Sequence, residues 1–265
     1  MSGETRGQAP PYSTRGLRAL RVPGRSEEDD VVAVEEPLEI RIGGEPVAVT
    51  MRTPGADEEL ALGFCLTEGL SPVSARLPDG LEANTVELEA SGFDADRLRR
   101  YFYTSSSCGV CGKGAIEAVR VTAPRVESRL QVSGDVVASL PARLLDAQQA
   151  FAATGGLHAT GLFSPDGDLL CVREDVGRHN AMDKVVGWAF LAGLLPLAEH
   201  VLCVSGRLSF ELVQKASVAG CPVLVAVGAP SSLAVELAED RGLTLCGFVR
   251  DGRFTVYSEP WRIQT

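Results

Sequence analysis

Two cysteines, Cys108 and Cys111, form a C-x-x-C pair within a stretch of small residues from Thr104 to Gly114. Serines precede the pair and glycines surround it, so the backbone there can bend sharply and expose both thiols. The residues after Gly114 are typical of a helix start, and Lys113 lies close by in the sequence. A helix N-terminus and a lysine both favour the thiolate, the nucleophilic form of cysteine. The stretch therefore favours a reactive thiol.

The spacing of this pair is compatible with four roles. Half of a zinc site would need a second pair, and the sequence has no other C-x-x-C. A thioredoxin-like redox pair normally follows the first strand of a small domain, whereas this one lies far along the chain. A persulfide carrier and an inert structural pair are the remaining two. The pair alone leaves all four open.

The composition is that of an acidic α/β protein. The 265 residues carry a formal net charge of −10, and 45% of them are hydrophobic. This balance argues against a binder of duplex nucleic acid but allows a local basic pocket for an anion. Seven cysteines with one close pair, and no signal-peptide pattern, predict a cytoplasmic protein. The longest apolar run, residues 185–204, is interrupted by Gly, Pro, Glu and His, so no membrane span is predicted.

The first half of the chain divides into two segments. Residues 1–30 are polar and end in an acidic run, which predicts a disordered tail. Residues 31–125 predict a smaller N-terminal α+β domain that ends in the C-x-x-C loop and its helix. Its predicted elements are a hairpin over 38–42 and 47–51, a helix from Asp57 to about Gly69, a strand over 85–89 and a short helix over 94–100.

Residues 126–265 predict a larger α/β domain. After a helix over 140–151, in which Leu144, Leu145 and Phe151 are expected to be buried, a hairpin spans 158–163 and 169–172. Strands and helices then alternate, and continuous apolar strands predict a sheet buried on both faces. The predicted helices are 177–191, 208–219 and 232–240, and the predicted strands are 201–204, 223–227 and 243–249.

Three turns in this domain could bind an anion. They are residues 173–180, 205–209 and 228–232, and each leads into a predicted helix. Turns of this kind lie along one edge of an open α/β sheet, where ligands bind. Small residues expose backbone N–H groups at helix N-termini, and Arg178 and Arg207 add positive charge, which suits phosphate. The alternative is that the turns are ordinary helix caps with paired arginines.

The motifs taken together resemble the FdhD family, the sulfurtransferase accessory proteins of formate dehydrogenase. The resemblance covers residues 31–260, and the run from Glu174 to Lys184 is its most specific part. The segments that carry it are 36–40, 62–64, 67–69, 107–112, 154–158, 174–184, 205–207 and 245–250.

This resemblance implies a sulfur carrier. A cysteine desulfurase would load a persulfide on Cys108, and Cys111 would assist. The sulfur would pass to a bis-molybdopterin guanine dinucleotide molybdenum cofactor that serves the catalytic subunit of formate dehydrogenase. The resemblance also implies a homodimer and a cytidine-deaminase-like, three-layer second domain. The alternative hypothesis is a non-catalytic chaperone that binds the same cofactor.

The family's cofactor-binding stretch falls on residues 248–253. Together with the anion-binding turns, this predicts one cofactor site, for which GDP would be a partial mimic. The predicted residues are Arg178, His179, Ser205, Gly206, Arg207, Phe248, Val249, Arg250, Asp251, Gly252 and Arg253. Deaminase chemistry is not expected, because it needs H-x-E followed by P-C-x-x-C. Here Ala159 and Thr160 follow His158, and no metal site is predicted.

Overall fold

The computed structural model describes residues 10, 12–78, 84–91, 121 and 123–265. The strands are β1 (Thr14–Arg21), β2 (Ser26–Ala33), β3 (Glu36–Ile42), β4 (Glu45–Arg52), β5 (Ser71–Arg76), β6 (Thr85–Ser91), β7 (Val132–Ser133), β8 (His158–Phe163), β9 (Leu169–Asp175), β10 (Val201–Val204), β11 (Val223–Ala226), β12 (Thr244–Arg250), β13 (Arg253–Ser258) and β14 (Ile263–Gln264). The helices are α1 (Asp57–Thr67), α2 (Gly134–Ala147), α3 (Gln149–Thr154), α4 (Arg178–Leu191), α5 (Phe210–Val218) and α6 (Ser232–Arg241), with a 3₁₀ turn at Pro260–Arg262. None of the helices in these ranges is long and apolar enough to span a membrane.

The larger sheet has six strands in the order β13-β12-β11-β10-β8-β9. Strands β10, β11 and β12 are parallel, and β8, β9 and β13 are antiparallel to their neighbours. Every residue of β10 and β11 is buried, as the continuous apolar runs predict. The predicted strand over 201–204 is confirmed, and the predicted helix over 177–191 begins one residue later.

Helices cover both faces of this sheet. Leu140 and Leu144 of α2 pack on one face with Phe163 and Val225. Helices α4, α5 and α6 pack on the other face, where the larger apolar core lies. The fold is thus a mixed α/β fold, as predicted, and its likeness to cytidine deaminases stays a prediction.

A second, four-stranded sheet has the order β4-β3-β6-β5, and α1 packs on it. Its core includes Leu38, Ile40, Leu60 and Val86. The predicted hairpin over 38–42 and 47–51 is present in β3 and β4, and the helix from Asp57 is α1. Strand β5 was not predicted, and the predicted helix over 94–100 lies outside the described residues.

Helices α1 and α4 join the two sheets through an unusually close crossing. A Cβ atom added to Gly63 of α1 would lie 1.8 Å from the backbone oxygen of Asp183. One added to Gly187 of α4 would lie 1.8 Å from the backbone oxygen of Glu59. The two backbones are therefore in direct contact, and only glycine allows this approach.

The prediction of a disordered tail over residues 1–30 is wrong for residues 14–30. This segment belongs to an antiparallel ribbon of β1 and β2. One strand carries arginines and the other carboxylates, and they pair across the ribbon, with Arg18 3.1 Å from Glu27 and Arg21 3.4 Å from Glu28. Opposite charges on facing strands stabilise such pairing, and α3 packs against β2.

The helix predicted over 140–151 is two helices, α2 and α3. Helix α2 begins six residues earlier than predicted, because the Ser133 hydroxyl accepts a hydrogen bond from the Asp135 N–H and caps it. Pro141 lies inside α2 instead of at its start. Leu145, predicted to be buried, has 55% of its surface exposed, and it faces the cavity described next.

Candidate functional site

A cavity of about 730 Å³ opens at the edge of the six-stranded sheet where β10, β11 and β12 end. Ser205 follows β10, Val227 follows β11, and Val249 to Asp251 end β12 and lead into the next turn. His158 begins β8, which runs in the opposite direction, so it reaches the same edge. The cavity has the size of small-molecule sites and lies where open α/β sheets bind ligands.

Backbone contacts hold two of the predicted turns and the end of β12 together at this edge. The Gly228 N–H donates to the Gly206 carbonyl at 3.1 Å, and the Phe248 N–H donates to the Gly228 carbonyl at 3.1 Å. A Cβ atom on Gly228 would lie 2.9 Å from the Gly206 oxygen, so glycine is required there. The prediction that these turns share one edge is confirmed.

Ser205 is fixed by the neighbouring strand β8. Its hydroxyl accepts a hydrogen bond from the Ala159 N–H at 2.9 Å, and its own N–H donates to the Ala159 carbonyl at 3.0 Å. A Cβ atom on Gly206 would lie 3.4 Å from Nδ1 of His158, so the turn packs closely against the imidazole. These contacts give the cavity floor a rigid polar edge.

The opposite wall of the cavity is mostly apolar and comes from α2 and α3. Pro141, Leu145 and Phe151 line it together with Gln148. Glu174 at the end of β9 holds α3 in place, because its carboxylate accepts hydrogen bonds from the Ala150 N–H at 2.9 Å and the Phe151 N–H at 2.7 Å. A carboxylate at a helix N-terminus is stabilising. The cavity can therefore take a ligand with one apolar and one polar side.

The titratable groups near the mouth are a cluster of one arginine and two histidines. Burial lowers the pKa of His158, and Arg178 lowers it further against the opposing effect of Asp175. Burial lowers the pKa of His179 to about 4, with further lowering by Lys215 and Arg178. Both imidazoles are therefore neutral at pH 7, so they offer hydrogen bonds but no charge. The Nε atom of Arg178 is buried and has no partner among the described residues.

The predicted site residues fall into three groups. Ser205, Val249, Arg250 and Asp251 line the cavity, and Gly206 lies behind His158. Four further residues are exposed at the rim and do not line the cavity: Arg207, Phe248, Gly252 and Arg253. The last two, Arg178 and His179, are set back from the cavity beside His158. Cys108 and Cys111 lie outside the described residues.

The rim has unusual backbone geometry. Phe248 has a φ of +54° and Asp251 a φ of +52°, and 43% of the Phe248 surface is exposed. Positive φ in a bulky residue such as Phe costs on the order of 1–3 kcal/mol and tends to occur at functional sites. The register between β12 and β13 shifts across this residue, between Gly247 and Arg250, and once more between Leu245 and Cys246. The bulge therefore directs Phe248 away from the sheet core.

Most of the 174–184 run is structural rather than part of the cavity. The Lys184 ammonium is 2.7 Å from Oδ2 of Asp175, and both side chains are almost fully buried. The Thr53 N–H donates to the same carboxylate at 3.1 Å, and Lys184 donates to the Thr53 carbonyl at 2.8 Å. Asn180 donates to the Met51 carbonyl at 2.7 Å. These contacts fasten the start of α4 to the turn between β4 and α1.

A second buried ionic group connects α1, α4 and α5. The Lys215 ammonium donates to both Asp183 oxygens at 2.9 Å and to the Thr67 hydroxyl at 2.9 Å. Burial raises the pKa of Asp183 although Lys215 opposes the shift. The neighbouring Gln214 accepts a hydrogen bond from the Val121 N–H at 3.0 Å. Helix α5 therefore also holds the backbone of Val121, which follows the C-x-x-C segment in the sequence.

The family model of the FdhD/NarQ family matches residues 33–264. The chain belongs to the FdhD/NarQ family. The resemblance found in the sequence is thereby confirmed, and it extends over both sheets.

Relatives within the FdhD/NarQ family match most of the length of the chain. A protein named sulfur carrier protein FdhD from Nocardia farcinica is 49% identical over 95% of this chain and 94% of its own. One of the same name from Saccharolobus solfataricus is 43% identical over 89% of this chain and 92% of its own. A crystal structure of a putative formate dehydrogenase accessory protein from Desulfotalea psychrophila is similar in fold. Its TM-score is 0.73 at 25% identity, with 95% of this chain and 98% of that chain covered.

The FdhD/NarQ resemblance did not reveal two parts of the site. The apolar wall of α2 and α3 was missed because Leu145 and Phe151 read as core residues. The group of Thr67, Asp183 and Lys215 was missed because its members are far apart in the sequence. The only available signal was indirect: residues 67–69, 154–158 and 174–184 all belong to the segments that carry the resemblance.

Five of the seven cysteines can be placed in this FdhD/NarQ fold. Cys65, Cys171, Cys203, Cys221 and Cys246 are all buried. Burial raises the pKa of Cys65, Cys171, Cys221 and Cys246 to about 12, and it also raises the pKa of Cys203. Such thiols stay protonated and are poor nucleophiles at neutral pH.

Proposed function

We propose that this chain is a sulfur carrier. It would take persulfide sulfur from a cysteine desulfurase and deliver it to a bis-molybdopterin guanine dinucleotide molybdenum cofactor for the catalytic subunit of formate dehydrogenase. The observation that carries the proposal is that the five described cysteines are buried thiols with raised pKa values. A sulfur carrier needs an accessible thiolate, so Cys108 and Cys111 are the remaining candidates.

The loading step would use Cys108 as the nucleophile. Its thiolate attacks the outer sulfur of the persulfide on the desulfurase. A new S–S bond forms on Cys108, the S–S bond on the desulfurase breaks, and the desulfurase cysteine leaves as a thiolate. No oxidant or reductant is needed, because the sulfur changes carrier at constant oxidation state.

The unloading step would use Cys111. Its thiolate attacks Sγ of Cys108, a disulfide forms between the two cysteines, and the outer sulfur leaves as sulfide for the molybdenum. The two electrons come from the cysteine pair, so a dithiol reductant must restore it before the next cycle. The C-x-x-C spacing suits this step, since it keeps both sulfurs within one short loop.

The large cavity is the proposed seat of the cofactor. Its apolar wall of Leu145 and Phe151 suits a flat ring system. Its opposite edge, with Arg250, Ser205 and the nearby Arg178, suits phosphate. Arg178 supports this assignment, because its buried Nε lacks a partner among the described residues. The neutral His158 can donate a hydrogen bond to the same ligand.

The test is to incubate the purified protein with a cysteine desulfurase and free cysteine, so that sulfur can be transferred. The mass of each cysteine-containing peptide is then measured under non-reducing conditions. We expect one added sulfur atom on Cys108 in the wild type and in Cys111→Ala, and none in Cys108→Ala. Transfer to a formate dehydrogenase should fail in both variants. Full activation of the dehydrogenase by Cys108→Ala would overturn the proposed relay.

The second candidate is a non-catalytic chaperone for the same cofactor. It is favoured by the cavity, which the described residues build without either cysteine of the pair. The same experiment separates the two, because a chaperone binds cofactor but carries no sulfur on Cys108.

A further inference from the structure

A second cavity, of about 390 Å³, lies between the segment 125–129, the end of α6 and the turn that contains Trp261 and Arg262. It shares no lining residue with the large cavity. Three arginines line it, Arg125, Arg129 and Arg262, together with the carboxylates Glu127 and Glu259. In a chain with a formal net charge of −10, such a concentration of guanidinium groups is unusual.

Arg262 is the fixed part of this second cavity. Only 2% of its surface is exposed. Its terminal nitrogens donate to the Gly242 carbonyl at 2.8 Å and to the Ser128 carbonyl at 3.2 Å. The guanidinium lies 4.3 Å from the ring centre of Trp261. Its Nε is buried and has no hydrogen-bond partner in the part of the chain that the structure describes. A buried donor in this state lacks an acceptor.

Glu259 does not supply that acceptor, because its two oxygens bond to other groups. One accepts a hydrogen bond from Arg125 at 2.7 Å, and the other accepts one from the indole N–H of Trp261 at 2.7 Å. Glu259 also has a φ of +47°, so the turn is held in a strained conformation. Arg125 is further tied to the carbonyls of Glu239 and Asp240 at the end of α6.

Among the described residues that line this cavity, Arg129 is the free cation. It is exposed, and it has no ion-pair or hydrogen-bond partner among the residues that the structure places. The remaining carboxylate, Glu127, is exposed and reduces the positive charge without removing it, since three guanidinium groups face two carboxylates. The cavity therefore offers the exposed Arg129 guanidinium to a ligand, beside the Arg125 and Arg262 side chains that also line it.

We propose that this second cavity binds a small oxyanion, a phosphate or carboxylate group. A guanidinium group can bind two oxygens of a phosphate or a carboxylate at once, and such charge-assisted hydrogen bonds are stronger than neutral ones. The volume suits a small metabolite rather than a dinucleotide. The site is separate from the proposed cofactor cavity. An anion bound there would contact the turn that contains Trp261 and Arg262.

The test uses the fluorescence of Trp261. The chain has two tryptophans, and Trp188 lies in α4 against the core, so Trp188→Phe isolates the signal of Trp261. The full-length protein is titrated with inorganic phosphate, and separately with acetate, at constant ionic strength. We expect a saturable change with at least one of them, and the two titrations distinguish phosphate from carboxylate.

The decisive comparison is Arg129→Gln against the matched control Arg15→Gln, which makes the same charge change on the ribbon. Arg129→Gln should raise the dissociation constant by roughly tenfold, and Arg15→Gln should leave it unchanged. Arg250→Gln should also leave it unchanged, because Arg250 lines the other cavity. Phosphorus NMR line broadening of phosphate repeats the comparison without the Trp188 substitution. A linear, unsaturated response, or equal constants for the two arginine variants, would overturn the proposal.

Discussion

Asp175 belongs to the run that carries the family resemblance, and its contacts give it a structural role. Its carboxylate accepts hydrogen bonds from the Thr53 N–H at 3.1 Å and the Gly177 N–H at 2.8 Å, besides pairing with Lys184. It thereby fixes the direction in which α4 begins. Because Arg178 and His179 occupy the first turn of that helix, the buried pair determines where they lie beside the cavity.

The first prediction concerns this pair. Asp175→Asn leaves the Lys184 ammonium buried without its counter-charge, so we expect the free energy of unfolding to fall by about 3–5 kcal/mol. Chemical denaturation measures it. The control is Glu27→Gln, which breaks an exposed pair on the ribbon and should change stability by less than about 1 kcal/mol. An Asp175→Asn protein as stable as the control would contradict the structural role.

The second prediction concerns His179. Its pKa of about 4 lies below the usual value of 6.5, so between these values the unfolded chain binds a proton that the folded chain does not. The stability that this group contributes is therefore present above pH 6.5 and is lost as the pH falls toward 4. More than a third of the side chain is exposed, and solvent screening reduces the effect to on the order of 1 kcal/mol.

The measurement is the free energy of unfolding near pH 7.5 and near pH 5 for the wild type and His179→Gln. The wild type should lose more stability than the variant on acidification, since glutamine does not titrate. The other histidines are present in both proteins, so their effects cancel. Identical pH dependence of the two proteins would show that His179 is not held neutral.

At the scale of elements, the crossing of α1 and α4 depends on Gly63 and Gly187. Alanine normally stabilises a helix interior relative to glycine, by about 1 kcal/mol. Here an added methyl group would collide with backbone atoms of the facing helix, which cannot move aside as a side chain can. The close approach therefore outweighs the gain in helix propensity.

The third prediction follows from this crossing. Gly187→Ala should lower the free energy of unfolding by about 3 kcal/mol or more, because overpacking of a rigid contact separates the helices. Gly16→Ala in β1 is the matched control, since a Cβ atom there meets nothing within 4 Å. Thermal unfolding of both variants measures the difference. Equal melting temperatures would mean that the two helices are farther apart than described.

The elements that could be predicted from the sequence are those whose pattern is local. Strand β10 was predicted at its observed bounds because four apolar residues between turns indicate a buried strand. The ribbon of β1 and β2 could not be predicted, because its polar composition is also typical of disorder. Its pairing depends on register, which places Arg18 opposite Asp29, and neither strand alternates apolar and polar residues. Likewise the cap at Ser133 was missed, and Pro141, a residue type that favours the first turn of a helix, lies inside α2.

At the scale of the whole molecule, the sequence predicted at which edge of the six-stranded sheet the site lies. It did not predict the apolar wall on the opposite side of the cavity. Turns after parallel strands must meet at one edge, so Ser205 and Gly206 could be placed beside residues 228–232 in advance, and the family resemblance added Arg250. The apolar wall depends on where α2 and α3 pack, and no local pattern reveals that. The set-back position of Arg178 depends in turn on the buried pair of Asp175 and Lys184.

The net charge of −10 sets a further condition on any anionic ligand. The long-range field of the protein repels such a ligand, so binding requires local positive groups at short distance. In the proposed cofactor cavity, Arg250 is the cation that lines the wall. Arg207 and Arg253 do not line the cavity, so they lie farther from a ligand bound inside it. Their loss should therefore weaken binding less than the loss of Arg250.

The fourth prediction tests the role of Arg250 with GDP, a partial mimic of the cofactor, in calorimetric titrations at low and high salt. One charge-assisted contact to phosphate is worth about 1.5–3 kcal/mol, and each 1.4 kcal/mol is a factor of ten in affinity. Arg250 is exposed, so we expect the lower end, a roughly tenfold weaker affinity for Arg250→Gln at low salt. The difference from the wild type should shrink at high salt. Arg15→Gln, with the same change in net charge, should bind GDP like the wild type. If the wild type fails to bind GDP, or if both variants lose affinity equally, the phosphate contacts lie elsewhere than at the edge of Ser205 and Arg250.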